Sequence, residues 1–316
     1  MVSRRHAPHS LINFLCRHSF RSAPEQACFK AFGPIPDRLR FPAISAIHFG
    51  MATPNILIFD SGLGGLTVHR EIVKARPDAR LTYAADDAFF PYNAREESEL
   101  VARVLAVMDE LIAAHHPALV VVACNTASTI VLPHLRARFT VPFVGTVPAI
   151  KPACAASASK LVSVLGTEGT VRREYTRALI RDFAQGCAVT LVGSRRLAEL
   201  AEAELNGEAV ADTDILREVA PCFVEANGAR TDTIVLACTH YPLLLDRLGK
   251  IAPWGVNFID PAPAIARRVV DLLGPGTSAG QAPPARIIFT SARPPSAALS
   301  AALLRFGIAE AAATGV

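Results

Sequence analysis

The chain of 316 residues lacks a long hydrophobic run, since none approaches the roughly 18 apolar residues that a membrane-spanning helix needs. It also lacks the composition of a disordered or fibrous protein, because apolar residues make up 51% and charged residues 19%. We therefore expect a globular protein of about two domains, at ~150 residues each, with no membrane partner.

Lys and Arg do not outnumber Asp and Glu over most of the chain. The formal net charge is +4, but residues 1–50 hold seven Lys or Arg against two acidic residues, which leaves the other 266 residues at −1. This balance argues against nucleic acid as the main partner.

Closely spaced cysteines are missing as well. The seven scattered Cys do not form the dense disulfide framework of a small secreted protein, so we expect reduced thiols and a cytoplasmic location. No Cys-x-x-Cys or His-x-x-x-His accompanies the motifs described below, and none of the five Lys lies beside them. We therefore predict neither a metal nor a pyridoxal cofactor.

Residues 1–52 differ from the rest of the chain, because they are rich in Arg, poor in acidic residues and without a sustained period. Two interpretations are open: an organelle transit segment, or translation from a start codon upstream of the true initiator Met51. We favour the second, since a strand pattern begins directly after Met51. In either case we predict disorder.

From Asn55 onward, short apolar runs alternate with helical periods. The predicted strands are Ile56–Phe59, Leu81–Ala84, Leu119–Ala123, Phe143–Gly145, Leu161–Leu165, Val189–Val192, Ile234–Ala237, Phe258–Ile259 and Ile287–Phe289. The predicted helices are Gly65–Arg76, Glu96–His115, Thr126–Arg138, Thr170–Ala184, Leu197–Glu204, Thr213–Asn227, Leu243–Ile251 and Ala264–Leu273. A Gly- and Pro-rich loop, Gly274–Pro284, precedes the last strand and a final helix. This alternation predicts an α/β fold with parallel-rich sheets flanked by helices.

Two segments repeat one pattern. Each is an apolar strand that ends in Ala-Cys, at Cys124 and at Cys238, followed by polar residues that open a helix. A thiol at a helix N-terminus is favoured as thiolate, whereas the other five cysteines have the context of incidental thiols. We predict two pseudo-symmetric lobes, residues 53–147 plus 256–310 and residues 148–255, with one of these cysteines on each side of a cleft.

Two polar residues near these motifs each allow two interpretations. His240 either caps a helix or exchanges protons with Cys238, and Asp60 either caps a helix or accepts a proton. The glycine-rich segment after Asp60 does not fit a dinucleotide fingerprint, because Thr67 stands where Gly or Ala is needed. We expect its glycines to let backbone N–H groups approach a small anionic ligand.

Neutral hydrogen-bond donors are concentrated at predicted helix starts and in one loop. Such donors can bind carboxylates without fixed cations, so together they indicate a small acid as ligand. They are Tyr92, Asn93, Asn125, Thr126, Thr167, Thr170 and Thr239.

The motifs around Asp60, Tyr92, Cys124, Thr167 and Cys238 resemble, in order and spacing, those of the glutamate racemase family within the aspartate/glutamate racemase superfamily. The resemblance covers about residues 55–260. It implies a cofactor-independent enzyme with its site between two lobes, in which two cysteines move a proton at Cα. Aspartate racemases of this superfamily usually have an acidic residue where His240 stands.

The resemblance assigns roles residue by residue. Cys124 would deprotonate D-glutamate and Cys238 would deprotonate L-glutamate, with Asp60 and His240 as their helpers. It implies that D-glutamate is supplied for peptidoglycan synthesis, and that a homodimer is a further expectation. The implied substrate contacts are Ser61, Tyr92, Asn93, Asn125, Thr126, Thr167, Thr170, Thr239 and Glu202.

Two departures from the family pattern concern the loop after the second strand. Asn93 stands where the family usually has Gly, and the segment from Asp87 to Phe90 stands where a basic residue is common. Three rival functions stay open: a racemase of another amino acid such as aspartate, a Cys-His hydrolase, and a two-lobed amino-acid-binding protein.

Overall fold

The computed structural model describes residues 53–184, 186–276 and 284–313. The predictions for residues 1–52 and for most of the Gly274–Pro284 loop therefore lie outside the described residues. No helix in these described ranges is long and apolar enough to cross a membrane.

Two parallel sheets organise the described chain. The first has six strands in the order β12-β11-β2-β1-β3-β4, and the second has four in the order β10-β9-β5-β6. The strands of the first sheet are β1 Asn55–Asp60, β2 Arg80–Ala85, β3 Leu119–Val122, β4 Phe143–Gly145, β11 Ala285–Phe289 and β12 Ile308–Ala313. Those of the second are β5 Leu161–Thr167, β6 Ala188–Ser194, β9 Thr233–Ala237 and β10 Asn257–Ile259.

Helices cover both faces of each sheet. Beside the first sheet lie α1 Leu66–Ala75, α2 Glu97–His115, α3 Asn125–Ile130, α4 Leu132–Arg138, α11 Ala262–Leu273 and α12 Ala297–Arg305. The second sheet carries α5 Ile150–Ala156, α6 Glu168–Arg172, α7 Glu174–Phe183, α8 Leu197–Leu205, α9 Asp212–Val219 and α10 Leu245–Ile251. Central strands such as β1 and β3 are apolar throughout because both of their faces are buried. The predicted α/β class is confirmed, and we call the two sheets with their helices the first lobe and the second lobe.

The boundary between the lobes differs from the predicted one. Strand β10, which we placed in the first lobe, pairs in parallel with β9 of the second sheet. The apolar residues of β10 are so few that the sequence pattern does not show which sheet it joins. The predicted residue ranges of the lobes otherwise remain a prediction.

Three predicted helices end or break early. The helix predicted over 126–138 is interrupted at Val131 before Pro133, whose missing N–H suits the first turn of a new helix. The helix predicted over 170–184 is two helices, with Arg173 in an extended conformation between them.

The third of these helices, predicted over 213–227, stops at Val219 and is followed by a 3₁₀ turn to Cys222. A short antiparallel hairpin then forms between β7 Glu225–Ala226 and β8 Ala229–Arg230. Asn227 and Gly228 make its turn with positive φ angles. This Asn-Gly pair is a hairpin signal that the periodicity reading overlooked. Helix α5 and strand β12 were also not predicted.

Candidate functional site

The two repeated cysteines line one cavity. Cys124 follows β3 and precedes α3, and Cys238 directly follows β9, so each thiol lies beyond the carboxyl end of a parallel strand in its own lobe. Ligands of open α/β sheets bind at such strand ends. The cavity contains about 350 Å³ of space between atoms, part of it open to solvent.

Most residues predicted for the site lie on the cavity wall, and their side chains come from both lobes. They are Ser61, Tyr92, Asn93, Cys124, Asn125, Thr126, Thr167, Thr170, Cys238, Thr239 and His240. The wall also contains Phe90, Pro91 and Ala198, which the sequence reading missed. Phe90 and Pro91 adjoin the predicted Tyr92, so proximity in the chain was an available signal, whereas Ala198 offers no functional group to mark it.

Asp60 lies behind the cavity wall. Its carboxylate is fully buried and accepts hydrogen bonds from the backbone N–H groups of Gly62 and Gly65, at 3.2 and 3.1 Å. The Thr239 hydroxyl donates to its other oxygen at 3.4 Å. Burial raises the pKa of Asp60, against the favourable charge of His240 and the two N–H groups. Asp60 thus fixes the glycine-rich loop and ties Thr239 of the second lobe to the first.

Cys238 belongs to a line of three polar groups. Its sulfur lies 3.7 Å from His240 Nδ1, and His240 Nε2 lies 2.9 Å from Glu202 Oε1. Burial disfavours the imidazolium, but the hydrogen bonds and charges of Cys238 and Glu202 outweigh it and hold the pKa of His240 well above its usual value. A protonated His240 can stabilise a thiolate at Cys238.

Glu202 differs in placement from the predicted substrate contact. Its carboxylate faces His240 and also accepts the backbone N–H of Leu63 at 2.8 Å, and it is not among the residues of the cavity wall. Its contact with the cavity wall is therefore with His240. No local pattern indicates this pairing, because the two residues lie 38 positions apart in the chain.

Cys124 has a different environment. Its sulfur lies 3.5 Å from the Ser61 hydroxyl, and burial together with the nearby Asp60 charge raises its pKa to about 12. The Ala127 backbone N–H and Ser61 oppose this shift. This shift favours the protonated thiol of Cys124 near neutral pH.

The cavity wall offers neutral polar groups to a ligand. Both polar atoms of the Asn125 amide are buried without a hydrogen-bond partner among the described residues. The Thr167 and Thr170 hydroxyls lie 2.9 Å apart, and Thr167 also caps α6. A buried amide without a partner is costly unless a ligand satisfies it, so Asn125 is well suited to bind one.

The Tyr92 side chain is held by its own neighbour rather than free for a ligand. Its hydroxyl donates to the buried Asp86 at 2.7 Å, and the Arg103 guanidinium and the Thr290 hydroxyl bind the same carboxylate. Asp86 directly precedes the segment from Asp87 to Phe90, which differs from the family pattern. Tyr92 remains part of the cavity wall.

Within residues 53–184, 186–276 and 284–313, no group of three His, Cys, Asp or Glu side chains could hold a metal ion.

Comparison with known families gives one match over most of the chain. The model of the Asp/Glu/Hydantoin racemase family matches residues 66–269. A glutamate racemase from Brucella anthropi is 54% identical over 237 residues, which cover 74% of this chain and 85% of that protein. A glutamate racemase from Brucella abortus is 55% identical over 219 residues, or 69% of this chain and 79% of that protein.

Solved structures agree with these sequence relatives. The crystal structure of Escherichia coli glutamate racemase in complex with L-glutamate and the activator UDP-MurNAc-Ala superimposes with a TM-score of 0.75 at 41% identity, covering 82% of this chain and 97% of that one. A glutamate racemase from Bacillus anthracis gives a TM-score of 0.68 at 25% identity, covering 84% and 99%.

Proposed function

Because this chain belongs to the Asp/Glu/Hydantoin racemase family, and is thus an isomerase, we propose that it interconverts L-glutamate and D-glutamate. Its bases would be Cys124 and Cys238, and no cofactor would be needed. The product D-glutamate would supply peptidoglycan synthesis in the cytoplasm, where thiols stay reduced. The relatives and solved structures that are glutamate racemases support glutamate as the substrate.

One observation carries this proposal: two matched thiols from different lobes line one cavity whose other polar groups are mostly neutral. Inversion at carbon needs a base on one face of Cα and an acid on the other. The different environments of the thiols supply such a pair, since Cys124 holds its proton and Cys238 has the His240–Glu202 dyad beside it.

The reaction then follows in two proton transfers. The Cys238 thiolate removes the α-proton of L-glutamate, and the electron pair of the broken C–H bond delocalises into the α-carboxylate. The Cys124 thiol gives its proton to the opposite face of Cα, which leaves D-glutamate, a Cys124 thiolate and a Cys238 thiol. The reverse reaction begins from that state, with the Ser61 hydroxyl and the Ala127 N–H favouring the Cys124 thiolate.

Neutral donors would hold the two substrate carboxylates. Asn125 is the strongest candidate because its amide has no partner in the described part of the chain. Ser61, Asn93, Thr126, Thr167, Thr170 and Thr239 complete the proposed set. A tight fit between such donors and the planar intermediate would stabilise developing charge more than water does.

Incubation in heavy water without added cofactor tests the proposal. L-glutamate and D-glutamate should each gain deuterium at Cα as they invert, and aspartate should invert more slowly in the same assay. Retention of all α-hydrogen during inversion would exclude thiol-mediated proton exchange with solvent, and faster aspartate inversion would reassign the substrate.

Single substitutions test the two thiols. Cys124→Ala and Cys238→Ala should each lower racemisation by about 10²- to 10⁴-fold, which is the usual range for a lost acid or base. Cys187→Ala is the matched control, because Cys187 is a free thiol outside the cavity wall. A Cys-His hydrolase would instead need Cys238 alone and leave Cys124→Ala active.

A further inference from the structure

A second, wider opening lies beside the inner cavity. It contains about 1060 Å³ of space between atoms, part of it open to solvent, against about 350 Å³ for the inner cavity. Helices α2 and α3 of the first lobe form one side of it, with Glu97, Ser98 and Thr129, and Arg173 and Tyr175 of the second lobe form the other. We call this opening the outer cleft.

The outer cleft and the inner cavity share their walls. Helix α3 contributes Thr126 to the inner cavity and Thr129 to the outer cleft. In the second lobe, Thr170 lines the inner cavity and Arg173, three residues later, lines the outer cleft. The two spaces are therefore adjacent along the interface between the lobes.

Arg173 connects the lobes at this place. Its guanidinium donates to the Thr129 hydroxyl at 3.2 Å and lies 3.5 Å from the Glu97 carboxylate, and both partners belong to the first lobe. Its side chain is only 18% exposed, and its Nε is buried without a partner among the described residues. The Glu97 side chain is 70% exposed, so it can swing away from the guanidinium with little loss of packing.

The charge of Arg173 reaches the inner cavity, whose described wall contains neither Lys nor Arg. Burial lowers the pKa of Arg173, while the charge of Glu97 and that of Cys124 in its thiolate form act in the opposite direction. An amino acid with two carboxylates carries net negative charge, so Arg173 attracts it and the two acidic residues of the outer cleft repel it. Of these two, Glu97 is paired with Arg173 and Glu174 is paired with Arg181.

We propose that the outer cleft is the entrance for the anionic substrate, and that Arg173 is its first binding contact, where a substrate carboxylate displaces Glu97. This inference rests on the proposed function, since it takes glutamate as the ligand. Arg173 is a binding residue for entry and takes no part in the proton transfers.

Arg173→Gln tests the entrance, and Arg172→Gln is the matched control. The control removes the same charge one position away, from an exposed side chain that is paired with Glu168. Arg173→Gln should raise KM by about tenfold and leave kcat within about twofold. It should also flatten the fall of kcat/KM between about 10 and 150 mM salt. Arg172→Gln should resemble the parent protein in all three respects.

Two further variants keep the test decisive if Arg173→Gln does not fold. Arg173→Lys preserves the charge and should keep the salt dependence, and Glu97→Gln frees the guanidinium without altering it and should lower KM. Equal KM and equal salt dependence in Arg173→Gln and Arg172→Gln, or an unchanged KM in Glu97→Gln, would overturn the entrance role. Calorimetric titration with glutamate measures the contact without turnover, so inactivity of the parent protein would count against the proposed function alone.

Discussion

His69 is a buried histidine without a hydrogen-bond partner in the described part of the chain. Its ring lies on α1 against Tyr83, with ring centroids 6.3 Å apart in an edge-to-face arrangement, and both ring nitrogens are unpaired. Burial lowers the pKa of His69 to about 4. The folded protein therefore keeps this imidazole neutral at a pH where an unfolded chain would protonate it.

His69→Phe should make the protein less sensitive to acid. Because the pKa of His69 is lower in the folded state, its stability contribution is complete above about pH 6.5 and declines as the pH falls towards 4. Over that range the free energy of unfolding falls by about 3 kcal/mol because of this one residue. Urea unfolding at pH 7.5 and pH 4 measures it, and an equal acid loss in the parent and in His69→Phe would contradict the assignment.

At the scale of elements, the glycine-rich loop between β1 and α1 is shaped by close approach of the second lobe. A Cβ added at Gly64 would lie 2.5 Å from His240 Nδ1 and 2.7 Å from the His240 backbone nitrogen. A Cβ added at Gly62 would collide with the Glu202 carboxylate. These glycines thus let a loop of one lobe contact the dyad of the other, a use that differs from the ligand approach that the sequence predicted.

Gly64→Ala should displace His240 from Cys238 and so lower racemisation, while destabilising the fold by about 1–3 kcal/mol through overpacking. Gly249→Ala is the control, because a Cβ there meets nothing within 4 Å and the site lies inside α10. In that control the free energy of unfolding should rise by about 0.5–1 kcal/mol, because Ala has a higher helix propensity than Gly, and activity should be unchanged. Thermal unfolding and initial rates of both variants measure these effects. A fully active Gly64→Ala variant would show that the loop can shift without displacing His240 from Cys238.

At the scale of the whole molecule, contacts across the interface hold the lobes around the cavity. Glu202 on α8 accepts the Leu63 N–H of the first lobe and binds His240 of its own lobe. The Thr67 hydroxyl donates to the Thr239 carbonyl at 3.4 Å across the same interface. These contacts lie beside the cavity and join its two walls.

Glu202→Gln should shift the pH dependence of racemisation. Its amide oxygen can still accept the Leu63 N–H, but it lacks the charge that helps to raise the pKa of His240. The imidazolium is lost as the pH rises through that pKa, so the alkaline fall in activity should move to lower pH in the variant. Glu204→Gln, on the same helix and paired with Arg247, should keep the parent profile, and a Glu202→Gln profile identical to it would contradict the role of Glu202.

The sequence by itself determined which residues end the strands, and with them most of the cavity wall. Apolar strands followed by polar residues are local patterns, and parallel strands bring their carboxyl ends to one edge wherever the sheet forms. This is why Cys124, Cys238, Asn125 and the threonines were found without coordinates. The repeated Ala-Cys pattern also predicted two lobes, because each copy needs its own sheet.

Only the tertiary structure decided how those residues are paired. The partner of His240 is Glu202, and the ion pair of Arg173 is with Glu97 of the other lobe. Both contacts depend on how elements from distant parts of the chain pack together. The same holds for β10, whose two apolar residues could lie in either sheet, and which pairs with β9. The local periodicity of the sequence determines which residues of an element are buried and which face solvent. The partners of individual side chains depend on how elements pack together, and no short stretch of sequence encodes that packing.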